Sequence, residues 1–210
     1  EVLRNKIVKA VVRILGGKAL SLLSPAERDR FRGYLLGALS DDEDDVQDAA
    51  VSGLGSVGGE EAARAVLAHA ASLDRDHLPE RYEHAVAALR DMGLTQALGD
   101  ALRRGETAER AVALDVLAAL PCPQCPALLM DAFAELPDTF KPAAAKALAA
   151  IGGQAAVEFF LEQLEADNEA VLLEAVAFLG GGMRVASAGS ALFALLGHPS
   201  DAVKEAALDA

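Results

Sequence analysis

A leucine in a near-identical setting recurs at Leu117, Leu148 and Leu179, in two steps of 31 residues. The segments read Ala113-Leu-Asp-Val-Leu117-Ala-Ala-Leu, Ala144-Ala-Lys-Ala-Leu148-Ala-Ala-Ile and Ala175-Val-Ala-Phe-Leu179-Gly-Gly-Gly. A fixed period of this size means that one supersecondary unit is stacked repeatedly, each copy burying its apolar face on its neighbours. Earlier copies centre on Leu15, Leu54 and Leu89, so the spacings along the chain run 39, 35, 28, 31 and 31. The ladder Leu15, Leu54, Leu89, Leu117, Leu148 and Leu179 is the expected core.

Hydrophobic residues make up 52 % of the chain, yet aromatics only 4 % and Trp is absent. A core of Ala, Leu and Val suits closely packed helices, and the long β-branched alternating runs of strands are missing. Each unit reads as two helices. In the clearest one, Asp138 or Thr139 opens a helix to about Ile151, Gly152-Gly153 ends it, and a second helix spans 155–164. Gly180-Gly-Gly182 reads as another terminator. In the 39-residue step, Ser24 is the expected N-cap with Pro25 at the first helical position.

Net charge is −13 and unevenly spread: residues 1–40 hold eight bases against three acids, leaving −18 on the rest. An acidic array repels nucleic-acid phosphates and favours basic partners. No apolar run approaches the 18 residues of a membrane span. Two cysteines make no disulfide framework, so a reducing cytoplasm is expected. The chain starts without Met, and residues 201–210 repeat the opening of the unit but stop before its leucine, so a fragment of a longer protein is expected. The expected division is a basic helical repeat with an inserted turn over 1–39 and an acidic array over 40–210, truncated within its last repeat.

The pattern Val-x3-Ala-Ala/Val-x-Ala/Gly-Leu-Gly/Ala-x-Val/Ile-Gly-Gly, followed by an amphipathic helix and an acidic turn, resembles the short bacterial HEAT-like repeat, as in phycobilin lyase subunits and consensus-designed helical repeats. The resemblance implies an all-α fold, an α-solenoid superhelix of about six stacked helical pairs. The repeat at 79–106 departs from it, with Arg81 at the usual Val position and no double glycine.

Three local motifs suggest chemistry. Cys122-Pro-Gln-Cys125 sits where other repeats carry Gly-Gly; with no second ligand pair nearby it reads as a rigid turn rather than a zinc or redox centre. His77, Glu80 and His84 share helical spacing, but Arg81 beside them opposes a cation. Asp41-Asp-Glu-Asp-Asp45 lacks the glycine and terminal Glu of a calcium loop and reads as helix capping. No metal, cofactor or catalytic centre is expected, and no nucleotide-binding or nucleophile-elbow motif is present.

The resemblance implies that the helix bearing the leucine motif lines the concave surface. Its outward positions then include Asp44, Asp45, Asp48, Glu80, Glu83, Asp91, Asp115 and Glu174, with Lys146 the only base expected there. Capping explains acids at helix starts but not the mid-helix Asp48, Glu83, Asp115 and Glu174. The favoured reading is a protein–protein interaction scaffold or regulatory module, cytoplasmic and not an enzyme, that presents this acidic surface to a basic segment of a protein partner; neither nucleic acid nor membrane is expected to bind. The alternative is a subunit of a bilin-lyase-like enzyme handling a prosthetic group. A nucleic-acid-binding helical repeat is the least favoured, since it needs a basic face with stacking aromatics.

Overall fold

The structure is a computed structural model that describes residues 6, 9, 10, 12, 23–120, 122–182 and 185–210. Among them there is no strand, and twelve α-helices follow one another: α1 Pro25–Ala38, α2 Asp44–Val57, α3 Glu60–Ser72, α4 Pro79–Met92, α5 Gln96–Arg104, α6 Thr107–Ala119, α7 Cys125–Phe133, α8 Lys141–Ile151, α9 Gln154–Gln163, α10 Glu169–Val176, α11 Gly189–Ala194 and α12 Asp201–Asp209. The chain is all-α with the packing of a repeat solenoid, and none of the described helices is long and apolar enough to cross a membrane.

Two compact units divide at 120/121, and the expected 39/40 boundary falls inside the first, where α1 packs on α2. Within the first unit the motif-bearing helices α2, α4 and α6 pack side by side, and α3 and α5 form a second layer on them. Within the second, α8, α10 and α12 form the motif-bearing layer and α7 packs on α9.

The leucine ladder is the core of both units. Leu54, Leu89, Leu117, Leu148 and Leu179 are all buried, none more than 2 % exposed, which fixes the repeat register; Leu15 lies outside the described residues. The double glycine after the leucine has a defined job. Gly58 and Gly152 adopt φ of +69° and +71°, and their N–H groups close back onto the carbonyls of Leu54 and Leu148 at 2.8 and 2.9 Å. Only glycine reaches that conformation without strain, so the helix stops one turn past its buried leucine.

Gly180-Gly-Gly182 does not follow this rule. Instead of stopping, α10 continues as a π-helical turn over Ala177–Gly182, and Val185 N–H bonds the Leu179 carbonyl at 2.9 Å. A Cβ on Gly180 would lie 2.1 Å from the Cβ of Ala210, so here glycine serves the close approach of α12 rather than termination. The helix of the Leu148 repeat also starts later than expected, at Lys141, after a turn through Asp138 and Phe140.

At α1 the expected cap forms as a reciprocal pair: Ser24 Oγ accepts from Glu27 N, and Glu27 Oε2 accepts from Ser24 N at 2.8 Å. The Ser24 hydroxyl and backbone N–H hold the Glu27 carboxyl below its ordinary range. Polar contacts between neighbouring repeats echo the sequence period: Asn168 Nδ2 donates to the Asp138 carbonyl 30 residues back, and Ser200 Oγ to Glu169 Oε1 31 residues back.

One helix start is capped by its neighbour. Thr95 stands at the N-cap of α5, but its Oγ1 is buried without a partner. The Glu60 carboxylate of α3 instead accepts from Gln96 N at 2.8 Å and Ala97 N at 3.0 Å, satisfying two orphan donors. Glu60→Ala should lower the unfolding free energy by about 1 kcal/mol, the usual cost of a lost cap, and speed hydrogen exchange at the Gln96 and Ala97 amides. Unchanged exchange there would show that the cap does not hold α5.

Candidate functional site

The outward positions of α2, α4 and α6 carry two polar clusters, the first organised by a residue that the sequence pattern marked only as a departure. Arg81 occupies the position that is a buried Val at Val46, Val171 and Val203. Its side chain is only 14 % exposed. From that position Nε donates to Asp48 Oδ1 at 2.8 Å, Nη1 to Asp44 Oδ1 at 2.7 Å and Nη2 to Gln47 Oε1 at 2.7 Å. The long apolar stem takes the place of the valine while the planar fork spends its donors on the preceding helix. Burial alone would lower the Arg81 pKa, but the carboxylates of Asp48 and Asp44 outweigh it and hold it above the ordinary value.

A second node follows one repeat on. Tyr82 is buried, and its hydroxyl donates to Asp115 Oδ2 at 2.6 Å; Arg75 Nη1 pairs with the same oxygen at 2.9 Å, and the Arg75 guanidinium carbon Cζ lies 5.0 Å from the centre of the Tyr82 ring. Burial first, and then Asp115, push the Tyr82 phenol well above its ordinary pKa, so it stays a donor. His84 Nε2 lies 2.8 Å from Ser52 Oγ and 3.1 Å from the Asp48 carbonyl. Burial, followed by the charge of Arg81, holds His69 of α3 below the ordinary imidazole range.

The acids expected to bind a partner therefore fall into two groups. Asp44 and Asp48 are held by Arg81, Asp115 by Arg75 and Tyr82, and Asp45 by Lys9. The expectation that Lys146 is the only base on this surface is corrected: Arg75 and Arg81 reach into it from α4 and the turn before it. By contrast Glu80, Glu83 and Asp91 are exposed along one side of α4 and make no ion pair or hydrogen bond among the described residues. In the second unit Glu174, half-buried on α10, is likewise unpaired among them. A shallow groove of about 370 Å³ between α2 and α4 is lined by Asp48, Ala49, Ser52, Glu80, Arg81 and His84, so one free and one held carboxylate meet at it.

The remaining motifs separate. His77 pairs with Asp74 ahead of α4, at 2.8 Å, while His84 turns to Ser52, and no three of the described His, Cys, Asp or Glu residues are grouped to hold a metal ion. Cys122 and Cys125 are free thiols. Cys125 opens α7 fully buried, and burial, then Cys122, push its thiol up to about 12. That is the opposite of a redox-active thiol, whose pKa is depressed. Alkylation at neutral pH should therefore label Cys122 and spare Cys125 in the folded chain. Cys122→Ser should be neutral, whereas Cys125→Ser should cost about 1–2 kcal/mol by burying an unpaired hydroxyl. Equal labelling of both would contradict the assignment.

No family model matches this chain, and no curated protein does. Among solved structures it resembles two engineered proteins determined by a structural genomics consortium. One is 16 % identical, with a TM-score of 0.42, over 96 % of this chain and 66 % of its own length. The other is 19 % identical, with a TM-score of 0.33, over 98 % of this chain and 87 % of its own.

Proposed function

We propose that this chain is an interaction module of the short HEAT-like type its leucine motif resembles, and that the motif-bearing layer docks a basic segment of a protein partner. The observation that carries this reading is the division of the acids on α2 and α4. Arg81 fixes Asp44 and Asp48, while Glu80, Glu83 and Asp91 stay exposed with no cation committed to them among the described residues. The held acids shape a rigid wall, and the free ones supply uncompensated charge. Exposed charge acts mainly on encounter and selectivity, so binding should weaken as the Debye length falls from about 10 Å at 0.1 M salt to about 3 Å at 1 M.

The test is charge reversal of the free set. Glu80→Lys, Glu83→Lys and Asp91→Lys together, with helicity checked by circular dichroism, should weaken binding of the natural partner at least tenfold at 0.1 M salt. An affinity that stays within twofold of the parent would sink the reading.

A further inference from the structure

The second-helix layer of the second unit carries a feature of another kind. Met130, Phe133 and Ala134 of α7 and its end face Ala155, Phe159 and Gln163 of α9 across a groove of about 400 Å³. Phe133 and Phe159 meet edge to face at 4.9 Å, and Phe159 in turn stacks edge-on against Phe160, which is buried. The aromatic floor is therefore anchored in the core, while Met130, Phe133 and Phe159 each stay half-buried at the surface.

The charged residues that line the groove are both acidic, and Lys141, which lines an adjoining cavity with Phe133 and Gln163, is committed to Asp138 at 2.7 Å. Glu158 and Glu162, four residues apart on α9, line the groove, and Asp131 and Glu135, next in sequence to the lining residues Met130 and Ala134, are exposed. No Lys or Arg occurs in 121–140 or in 154–183, and residues 121–210 hold four bases against twelve acids. Unlike Asp44 and Asp48, none of these four carboxylates has an ion pair among the described residues.

We infer that this groove is a docking site for an amphipathic helix with a basic polar face, supplied by a protein partner. Charge complementarity selects the occupant: the acidic rim repels anionic membranes and nucleic acids and attracts Lys and Arg flanking an apolar stripe. Methionine and phenylalanine supply an adaptable apolar floor, and the nine- and ten-residue helices α7 and α9 give a groove about 14 Å long at 1.5 Å per residue. That length fits two apolar anchors spaced i and i+4 or i and i+7. The site is built from α7 and α9 of the second unit, whereas Glu80, Glu83 and Asp91 belong to α4 of the first, and it stands apart from the proposed function of that surface.

The probe is a labelled 14-residue Leu/Lys helical peptide, titrated into the full chain by fluorescence anisotropy and by methyl NMR. The chain has only three methionines, Met92, Met130 and Met183, so the Met130 methyl signal reports the groove directly. The Met130 signal should shift on binding. Glu158→Gln with Glu162→Gln should weaken binding about tenfold at 0.1 M salt, and filling the groove with Ala155→Trp should abolish the Met130 shift even at 1 M. A proline-interrupted peptide of the same composition should bind at least tenfold more weakly. An unmoved Met130 signal, or equal binding of the interrupted peptide, would overturn the site. An anisotropy change with the Met130 signal unmoved would place the peptide on the Glu80, Glu83 and Asp91 surface instead and overturn the groove assignment.

Discussion

Leu148→Asp should unfold the second unit, or bring it close to unfolding. Leu148 is 2 % exposed in the last turn of α8, and no charged residue is buried among the described residues, so the new carboxylate would find no partner there. Loss of leucine packing alone costs about 2–5 kcal/mol, and the stranded charge adds to it, against a total stability of about 5–15 kcal/mol for a typical domain. The effect has a pH signature. Burial raises the pKa of the introduced carboxyl in the folded state above its unfolded value of about 3.9, so stability should return as the pH falls through the raised folded pKa. Urea unfolding followed by circular dichroism reads both effects. A variant within 1 kcal/mol of the parent would mean that the leucine register is wrong.

Gly55→Leu should also destabilise the chain, for a steric reason. A Cβ at Gly55 would lie 3.0 Å from the Cβ of Ala88 and 3.1 Å from its Cα, and the backbone of α4 cannot step aside as a flexible side chain can. Replacing a helical glycine gains about 1 kcal/mol of propensity, whereas overpacking a close helix contact costs about 1–3 kcal/mol and occasionally more. A leucine branch inserted between α2 and α4 lies at the costly end, so a net loss of about 2 kcal/mol or more is expected. Gly33 of α1, exposed with nothing within 4 Å of its would-be Cβ, gives the opposite sign: Gly33→Ala should stabilise by about 1 kcal/mol. Equal thermal shifts from the two substitutions would show that α2 and α4 are not packed as closely as described.

Most of the fold was legible in the sequence because it rests on period and small-residue patterning, both of which act locally. The buried leucines, the Ser24 cap and the glycine stops at Gly58 and Gly152 all follow from neighbours within one or two turns. Gly180 misled because a glycine run has two uses, helix termination and close approach, and only the position of Ala210 across the unit decides between them. The surface was harder to read for the same reason. Arg81 was visible as a break in the Val pattern, but which carboxylates it holds depends on side chains 33 and 37 residues away. Counting acids along one helix face could not separate Asp48, which is held, from Glu83, which is free. The repeat spacing itself carried the missing signal: Asp48 and Arg81, Tyr82 and Asp115, and Ser52 and His84 are all separated by 32–33 residues, close to one repeat.

The division of carboxylates between held and free is read most directly by carboxyl footprinting, in which carbodiimide-activated acids are labelled with an amine and quantified residue by residue with and without the bound partner. In the free chain Glu80, Glu83 and Asp91 should label several-fold faster than Asp48 and Asp115, and on binding the same three should become protected. Uniform labelling of all five in the free chain, or protection confined to acids away from α4, would contradict the assignment of this layer as the docking surface.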